Sequence, residues 1–156
     1  MTTQTTLREI LQKAIGKEIE SQRLYHDLSQ IAEEPSVKDA FEELSRQEGE
    51  HQRLLARYLC GELSEGAPDH GETIGYKIAE KLEQPEVTAD MELKEVFLLA
   101  ANREKFSHDF YLVLAGVHPE GEVKRLLKAL ATEELRHKQR VEFLYSEVAF
   151  PQTDGG

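Results

Sequence analysis

Cysteine is nearly absent from this chain. With Cys60 as its one cysteine in 156 residues, an intrachain disulfide and any zinc or iron site built from several thiolates are excluded. A lone cysteine near a helix end is more often a small buried apolar residue than a reactive thiol, and Cys60 is given no role. Tryptophan is missing and there are only five prolines, which suits a helical protein. No run approaches the roughly 20 apolar residues of a membrane span, so no membrane partner is expected. The polar start, Met1 to Gln4, lacks the basic-then-apolar signature of a secretory signal, and the cytoplasm is the expected compartment. Positive charge is scarce too. Nineteen Lys and Arg against 30 Asp and Glu leave a net charge of -11, which argues against nucleic acid as a partner.

What remains is 39% hydrophobic and 31% charged, enough for one domain over residues 1–156 with a sizeable core. Its periodicity is helical throughout. Thr6-Leu7-Arg8-Glu9 has the form of a capping box, and Leu7, Ile10, Leu11, Ala14, Glu18, Ser21, Tyr25, Leu28 and Ala32 follow at spacings of three and four. This helix is expected to stop near Glu34, before Pro35. Ser36 can cap a second, with the stripe Val37, Phe41, Leu44, Glu48, His51, Leu55 and Tyr58, stopped by Gly61. Glycine and proline break the pattern from about residue 60 to 88, where a short helix from Tyr76 to Leu82 is possible. That length reads as a crossover within one bundle. Thr88 or Asp90 can cap a third helix carrying Phe97, Ala101, Glu104, Ser107 or His108, Tyr111 and Leu114. A fourth can begin at Pro119 and carry Val123, Leu127, Leu130, Glu134, His137, Val141 and Leu144. The polar tail from Pro151 is expected to fray. The fold expected is an all-α four-helix bundle made of two antiparallel hairpins joined by a long crossover.

Six stripe positions are polar, and they repeat. Glu18 precedes Tyr25 by seven residues, as Glu104 precedes Tyr111; Glu48 follows Glu18 by thirty, as Glu134 follows Glu104. A Glu-x-x-His motif closes each half, at Glu48 to His51 and at Glu134 to His137, with carboxylate and imidazole on one helix face. In an antiparallel hairpin, residues equidistant from the turn share a height. Glu18 and His51 are centred on the Glu34-Pro35 break, and Glu104 and His137 beside Pro119. All six should therefore lie on one level.

Four carboxylates at one level of an apolar core repel one another and are costly to desolvate. Two divalent cations neutralise the four charges, and mixed oxygen and nitrogen donors suit iron or manganese. Glu18 and Glu104 can bridge, with each Glu-x-x-His motif supplying one carboxylate and one imidazole to its own metal, and the sequence leaves open whether both bridge or one binds terminally. The competing reading is four glutamates that face solvent or pair with lysine and arginine. One Glu-x-x-His is a common accident in a charged helix. Two copies in register with two inward glutamates match the ligand pattern of ferritin-like di-iron carboxylate bundles.

On Glu18 with Leu24-Tyr25, Glu48 with His51, Glu104 with Phe110-Tyr111, and Glu134 with His137, the chain resembles the rubrerythrin-like branch of the ferritin-like superfamily, from about Leu7 to Val148. The resemblance implies a dinuclear iron site, usually in a homodimer, that reacts with hydrogen peroxide or dioxygen. It also supports hydrogen bonds from Tyr25 and Tyr111 to ligand carboxylates; the competing reading is two core aromatics whose hydroxyls reach water. Two departures stand out. One cysteine cannot build the four-cysteine rubredoxin iron site, so electrons would have to come from a separate donor protein. One turn after Glu104, where a redox-mobile carboxylate is usual, stands Ser107.

The function expected is therefore a non-haem di-iron oxidoreductase. The alternatives are iron handling, by ferrous oxidation or storage, and a non-catalytic bundle holding zinc or manganese. His108, one turn from Glu104, is left out of the ligand set. His26, His70 and His118 are expected on the surface. Glu20, Glu50 and Glu133 are read as solvated neighbours of the ligands.

Overall fold

A computed structural model describes residues 5–63, 67–74, 78 and 80–149. Helix α1 runs Leu7–Ile31 and α2 Pro35–Leu59; after a long connection, α3 runs Leu93–Gly116 and α4 Glu122–Ala149. The two strands are short: β1, Thr5–Thr6, pairs antiparallel with β2, Thr73–Ile74. Helices α1 and α2 pack as one hairpin and α3 and α4 as the other. The chain is thus all-α in character. Of the possible helix from Tyr76 to Leu82, residues 76, 77 and 79 lie outside the described residues, as does the whole tail from Pro151.

Most helix ends differ from expectation by a few residues, each for a local reason. At α1 the Thr6 side chain accepts from the Glu9 N–H at 3.2 Å, as its sequence implied. The connection satisfies further free N–H groups there, Leu7 donating to Glu72 O and Arg8 to His70 O, both at 2.9 Å. Helix α1 stops at Ile31, short of Glu34, because Ala32 is already extended. Ser36 is not the cap of α2. Pro35, which has no N–H to satisfy, takes the first turn, and Glu34 precedes it without a side-chain cap. Gly61, at φ +91°, closes α2 in a conformation that favours glycine.

Neither Thr88 nor Asp90 caps α3. The Thr88 hydroxyl donates to Asp90 in a turn at 2.6 Å, and a reciprocal capping box of Glu92 and Glu95 starts the helix. Pro119 lies in the loop, because the N–H groups of Val117 and His118 bond back to Leu114 and Ala115 and finish α3. Helix α4 begins three residues later, at Glu122.

The core is split in two. One cluster joins the start of α1 (Leu7, Ile10, Leu11), the end of α2 (Leu55, Tyr58), the end of α3 (Phe110, Leu114) and the start of α4 (Val123, Leu127, Leu130). Leu63, Ile78 and Leu82 of the connection cover that end. The other joins Tyr25, Leu28, Val37, Phe41, Leu44, Phe97, Val141 and Leu144. Each fully buried side chain of this kind contributes roughly 1.5–3 kcal/mol. Between the two clusters lies a polar layer.

Candidate metal centre

All six polar residues of the stripes meet in that layer. Glu18, Glu48, His51, Glu104, Glu134 and His137 are each at least 96% buried. They form two overlapping groups: Glu18, Glu48, His51 and Glu134 in one, and Glu48, Glu104, Glu134 and His137 in the other. In each group four ligand-type atoms lie within 4.8 Å of one another. The expected arrangement needs correction here. Glu48 and Glu134, the motif glutamates, belong to both groups, whereas Glu18 and Glu104 belong to one each. Nor does each motif stand alone. His51 Nδ1 is 2.6 Å from Glu134 of the other motif, and His137 Nδ1 is 2.5 Å from Glu48.

Tyrosines explain the division. Tyr111 on α3 donates to Glu18 Oε1, and Tyr25 on α1 donates to Glu104 Oε1, each at 2.5 Å. The two outer glutamates thus have one oxygen engaged and present the other inward. Glu134 has both oxygens without a hydrogen-bond partner, so it can serve both groups. Among the described residues, nine buried side-chain polar atoms lack a hydrogen bond, and seven belong to these six residues. Native proteins leave few such groups, and seven facing one another argue for something bound between them. Five oxygens and two imidazole nitrogens make a donor set that fits iron, manganese or zinc.

Electrostatics point the same way. Burial and the Glu48 charge hold the Glu18 carboxyl well above the usual range. Burial and the charges of Glu104, Glu48 and Glu18 do the same to Glu134. Burial and Glu104 raise Glu48. Burial works against ionisation of Glu104 as well, but the closeness of Glu134 and His137 and the hydrogen bond from Tyr25 prevail and lower it. Burial disfavours charge on His137, yet the neighbouring carboxylates of Glu104 and Glu48 lift it to about 11. A proton-holding cluster of this kind is what metal ions displace.

The outer partners of the imidazoles were not foreseen. His51 Nε2 bonds Glu133, and His137 Nε2 bonds Gln47 Oε1 at 2.7 Å. Glu133, read as a merely solvated neighbour, is half exposed but reaches back to a buried ring. The bond to His51 lowers its carboxyl pKa. Gln47 and Glu133 each precede a motif glutamate, so the repeat itself was the available signal. Glu20 is likewise engaged, accepting from Arg103 at 3.4 Å. Buried Arg103 also donates to Pro85 O at 3.1 Å, and Gln84 donates to Ser107 Oγ at 2.9 Å, tying the connection to α3. One turn after Glu104, Ser107 therefore holds a hydroxyl bonded to an amide.

His118 is not on the surface. It is buried, accepts from Tyr58 OH at 2.6 Å and donates to Leu114 O at 2.8 Å, and burial lowers its pKa. His70 packs edge-on against Tyr58. His108 donates to Ala131 O at 2.6 Å and lies outside both groups. Cys60 is exposed. No described helix is long and apolar enough to cross a membrane.

Comparison with known proteins agrees with this architecture. A candidate ferritin-like diiron-carboxylate protein from Thermotoga maritima, solved at 2.30 Å, matches with a TM-score of 0.73 and 22% identity over 95% of this chain and 99% of the other. A hypothetical protein from Pyrococcus furiosus matches with a TM-score of 0.75 and 24% identity over 95% of this chain and 93% of its own. These likenesses establish the ferritin-like four-helix bundle. A search of curated proteins returns no match. The rubrerythrin family model matches residues 9–145, and the chain belongs to the rubrerythrin family.

Proposed function

We propose that this layer holds two iron ions, one in each group of four ligands, and that the protein reduces hydrogen peroxide or dioxygen. The observation that carries the reading is the pair of overlapping groups sharing Glu48 and Glu134, with seven buried ligand atoms left without hydrogen bonds. Glu18 and His51 would complete one position, Glu104 and His137 the other. Held there in reduced form, an iron pair would supply the two electrons that, with two protons, convert one hydrogen peroxide to two waters.

The chain's own residues provide the setting. Tyr25 and Tyr111 fix the outer glutamates through hydroxyl donors held at 2.5 Å, and the same hydroxyls are the nearest protons to those carboxylates. Burial in contact with Glu104 and Glu18 raises both phenols well above their ordinary value, so they stay protonated and keep donating. Apolar layers above and below exclude bulk water and strengthen every charge interaction inside. A groove of about 440 Å³ between α2 and α4, lined by Gln47, Glu133, Arg136, His137 and Arg140, gives a small oxidant a path to the imidazole side. With Cys60 the only thiol, re-reduction falls to a separate donor protein.

The test is peroxide consumption by reduced, iron-loaded protein supplied with an electron donor. Turnover well above that of a Glu134→Ala control is the expected result. Equal rates would remove the peroxidase reading, and ferrous oxidation without donor-dependent turnover would favour iron handling instead.

A further inference from the structure

The two halves of the polar layer repeat one another in their shortest inward contacts. His51 Nδ1 lies 2.6 Å from Glu134 and 3.8 Å from Glu18; His137 Nδ1 lies 2.5 Å from Glu48 and 3.7 Å from Glu104. The two rings stack with centroids 5.4 Å apart and planes inclined by 14°. Both hydroxyl donors are tyrosines at 2.5 Å. The groups behind the imidazoles differ in charge. His51 Nε2 meets the carboxylate of Glu133, and His137 Nε2 meets the amide oxygen of Gln47.

With Nδ1 turned inward as a lone-pair donor, Nε2 must carry the proton and donate it outward. An anionic acceptor draws that proton away from the ring and leaves more electron density on Nδ1. A neutral amide does so far less. Each holder sits beside the other motif's glutamate, Glu133 next to Glu134 on α4 and Gln47 next to Glu48 on α2, so each motif clamps the imidazole opposite. Helix geometry thus duplicates the clamp, and residue type makes it unequal.

We propose that Glu133 and Gln47 are positioning residues that make the two metal positions inequivalent, with the Glu133-backed His51 position binding its metal more tightly and filling first. The inference rests on the two-metal reading above and adds an order to it. Loss of such an outer partner typically costs 10–100-fold in metal affinity. Glu133 is 48% exposed, and solvent screening places the Glu-to-Gln difference near the lower limit, about tenfold.

The experiment uses the metal-free full chain labelled with ¹⁵N-histidine and titrated with zinc(II), which gives sharp signals. The Nδ1 resonances of His51 and His137 report which position fills, and a chelating dye in competition gives the affinities. In the unaltered protein the first equivalent should move the His51 signal and the second the His137 signal. Glu133→Gln keeps a hydrogen-bond acceptor and the side-chain shape, so a purely structural role predicts no change. The charge role predicts about tenfold weaker first binding and loss of the order. Gln47→Glu combined with Glu133→Gln should reverse the order. Both signals moving together in the unaltered protein, or an unchanged titration in Glu133→Gln, would overturn the inference while leaving two bound metals intact. Failure of either signal to move with two equivalents would overturn the two-metal reading and this inference with it.

Discussion

Replacing Glu134 by glutamine should stabilise the protein without metal and destabilise it with metal. Ligand atoms in its two groups lie within 4.8 Å of one another. At an effective dielectric constant of about 20, two full negative charges that far apart repel by roughly 3.5 kcal/mol. Glu134 faces Glu18, Glu48 and Glu104, and the folded chain limits the repulsion by keeping carboxyls protonated. Removing one charge therefore recovers less than the sum of three pairs, on the order of 1–3 kcal/mol. For a chain of this size each kcal/mol moves Tm by about 2–4 °C, so a rise of about 2–12 °C is expected in chelator. In metal the sign reverses. Ligand at about 100 times Kd stabilises by about 2.7 kcal/mol, and Glu134 belongs to both groups, so the variant forfeits that gain at both positions.

Glu18→Gln discriminates, since Glu18 belongs to one group only. Binding should fall from two metals per chain to one in Glu18→Gln and towards none in Glu134→Gln. Thermal unfolding by circular dichroism, in chelator and in anaerobic ferrous iron, together with elemental analysis, makes the comparison. A Glu134→Gln protein that melts lower than the parent in chelator would refute the repulsion argument. Equal metal loss in Glu18→Gln and Glu134→Gln would refute the division into shared and outer glutamates.

Three further outcomes follow from the same contacts. Tyr25→Phe removes the hydroxyl on the Glu104 carboxylate and should cost about 1.5–3 kcal/mol in urea unfolding while leaving two metal equivalents bound. The metal-free protein should lose stability as pH rises. Glu18, Glu48 and Glu134 sit above their ordinary 4.5 when folded, so their contribution is full below that value and is lost as pH climbs through the folded pKa values. His137, raised to about 11, acts in the same sense, contributing fully below its ordinary 6.5 and losing that contribution through about 11, while groups lowered on folding, Glu104, Glu133 and His118 among them, oppose. Bound metal needs deprotonated ligands, so a Tm series in metal should instead rise with pH over the acid range. His118→Leu strands the buried Tyr58 hydroxyl and should cost about 1–3 kcal/mol by the same unfolding assay, with metal content unchanged.

The six inward residues were legible because a charge on an apolar stripe contradicts the helical period it interrupts, and the contradiction occurs at matched offsets in both halves. Their common level was legible because two short turns fix the register of each hairpin. The helix ends were not. Thr88, Asp90 and Ser36 all have capping side chains, but a cap depends on which competing local bond forms. At Thr88 the hydroxyl turned to Asp90, and at Ser36 proline had already begun the helix. His118 was misjudged for a related reason. Its partner Tyr58 is 60 residues away, so no local spacing announces the pair.

The sharing of glutamates between the two groups was not legible for a deeper reason. Stripe position says which way a side chain points but not how many of its oxygens are already engaged. By stripe position alone Glu18 and Glu104 can bridge. Yet the residues two turns away, Tyr25 and Tyr111, occupy one oxygen of the opposite glutamate and restrict it to one group. Glu134 has no such neighbour, and its two free oxygens give it the wider reach. Division of labour among four chemically identical carboxylates is therefore set by the hydroxyls and imidazoles around them. The same logic extends one shell outward, where the repeat preserves the clamp on each imidazole but places a carboxylate in one half and an amide in the other.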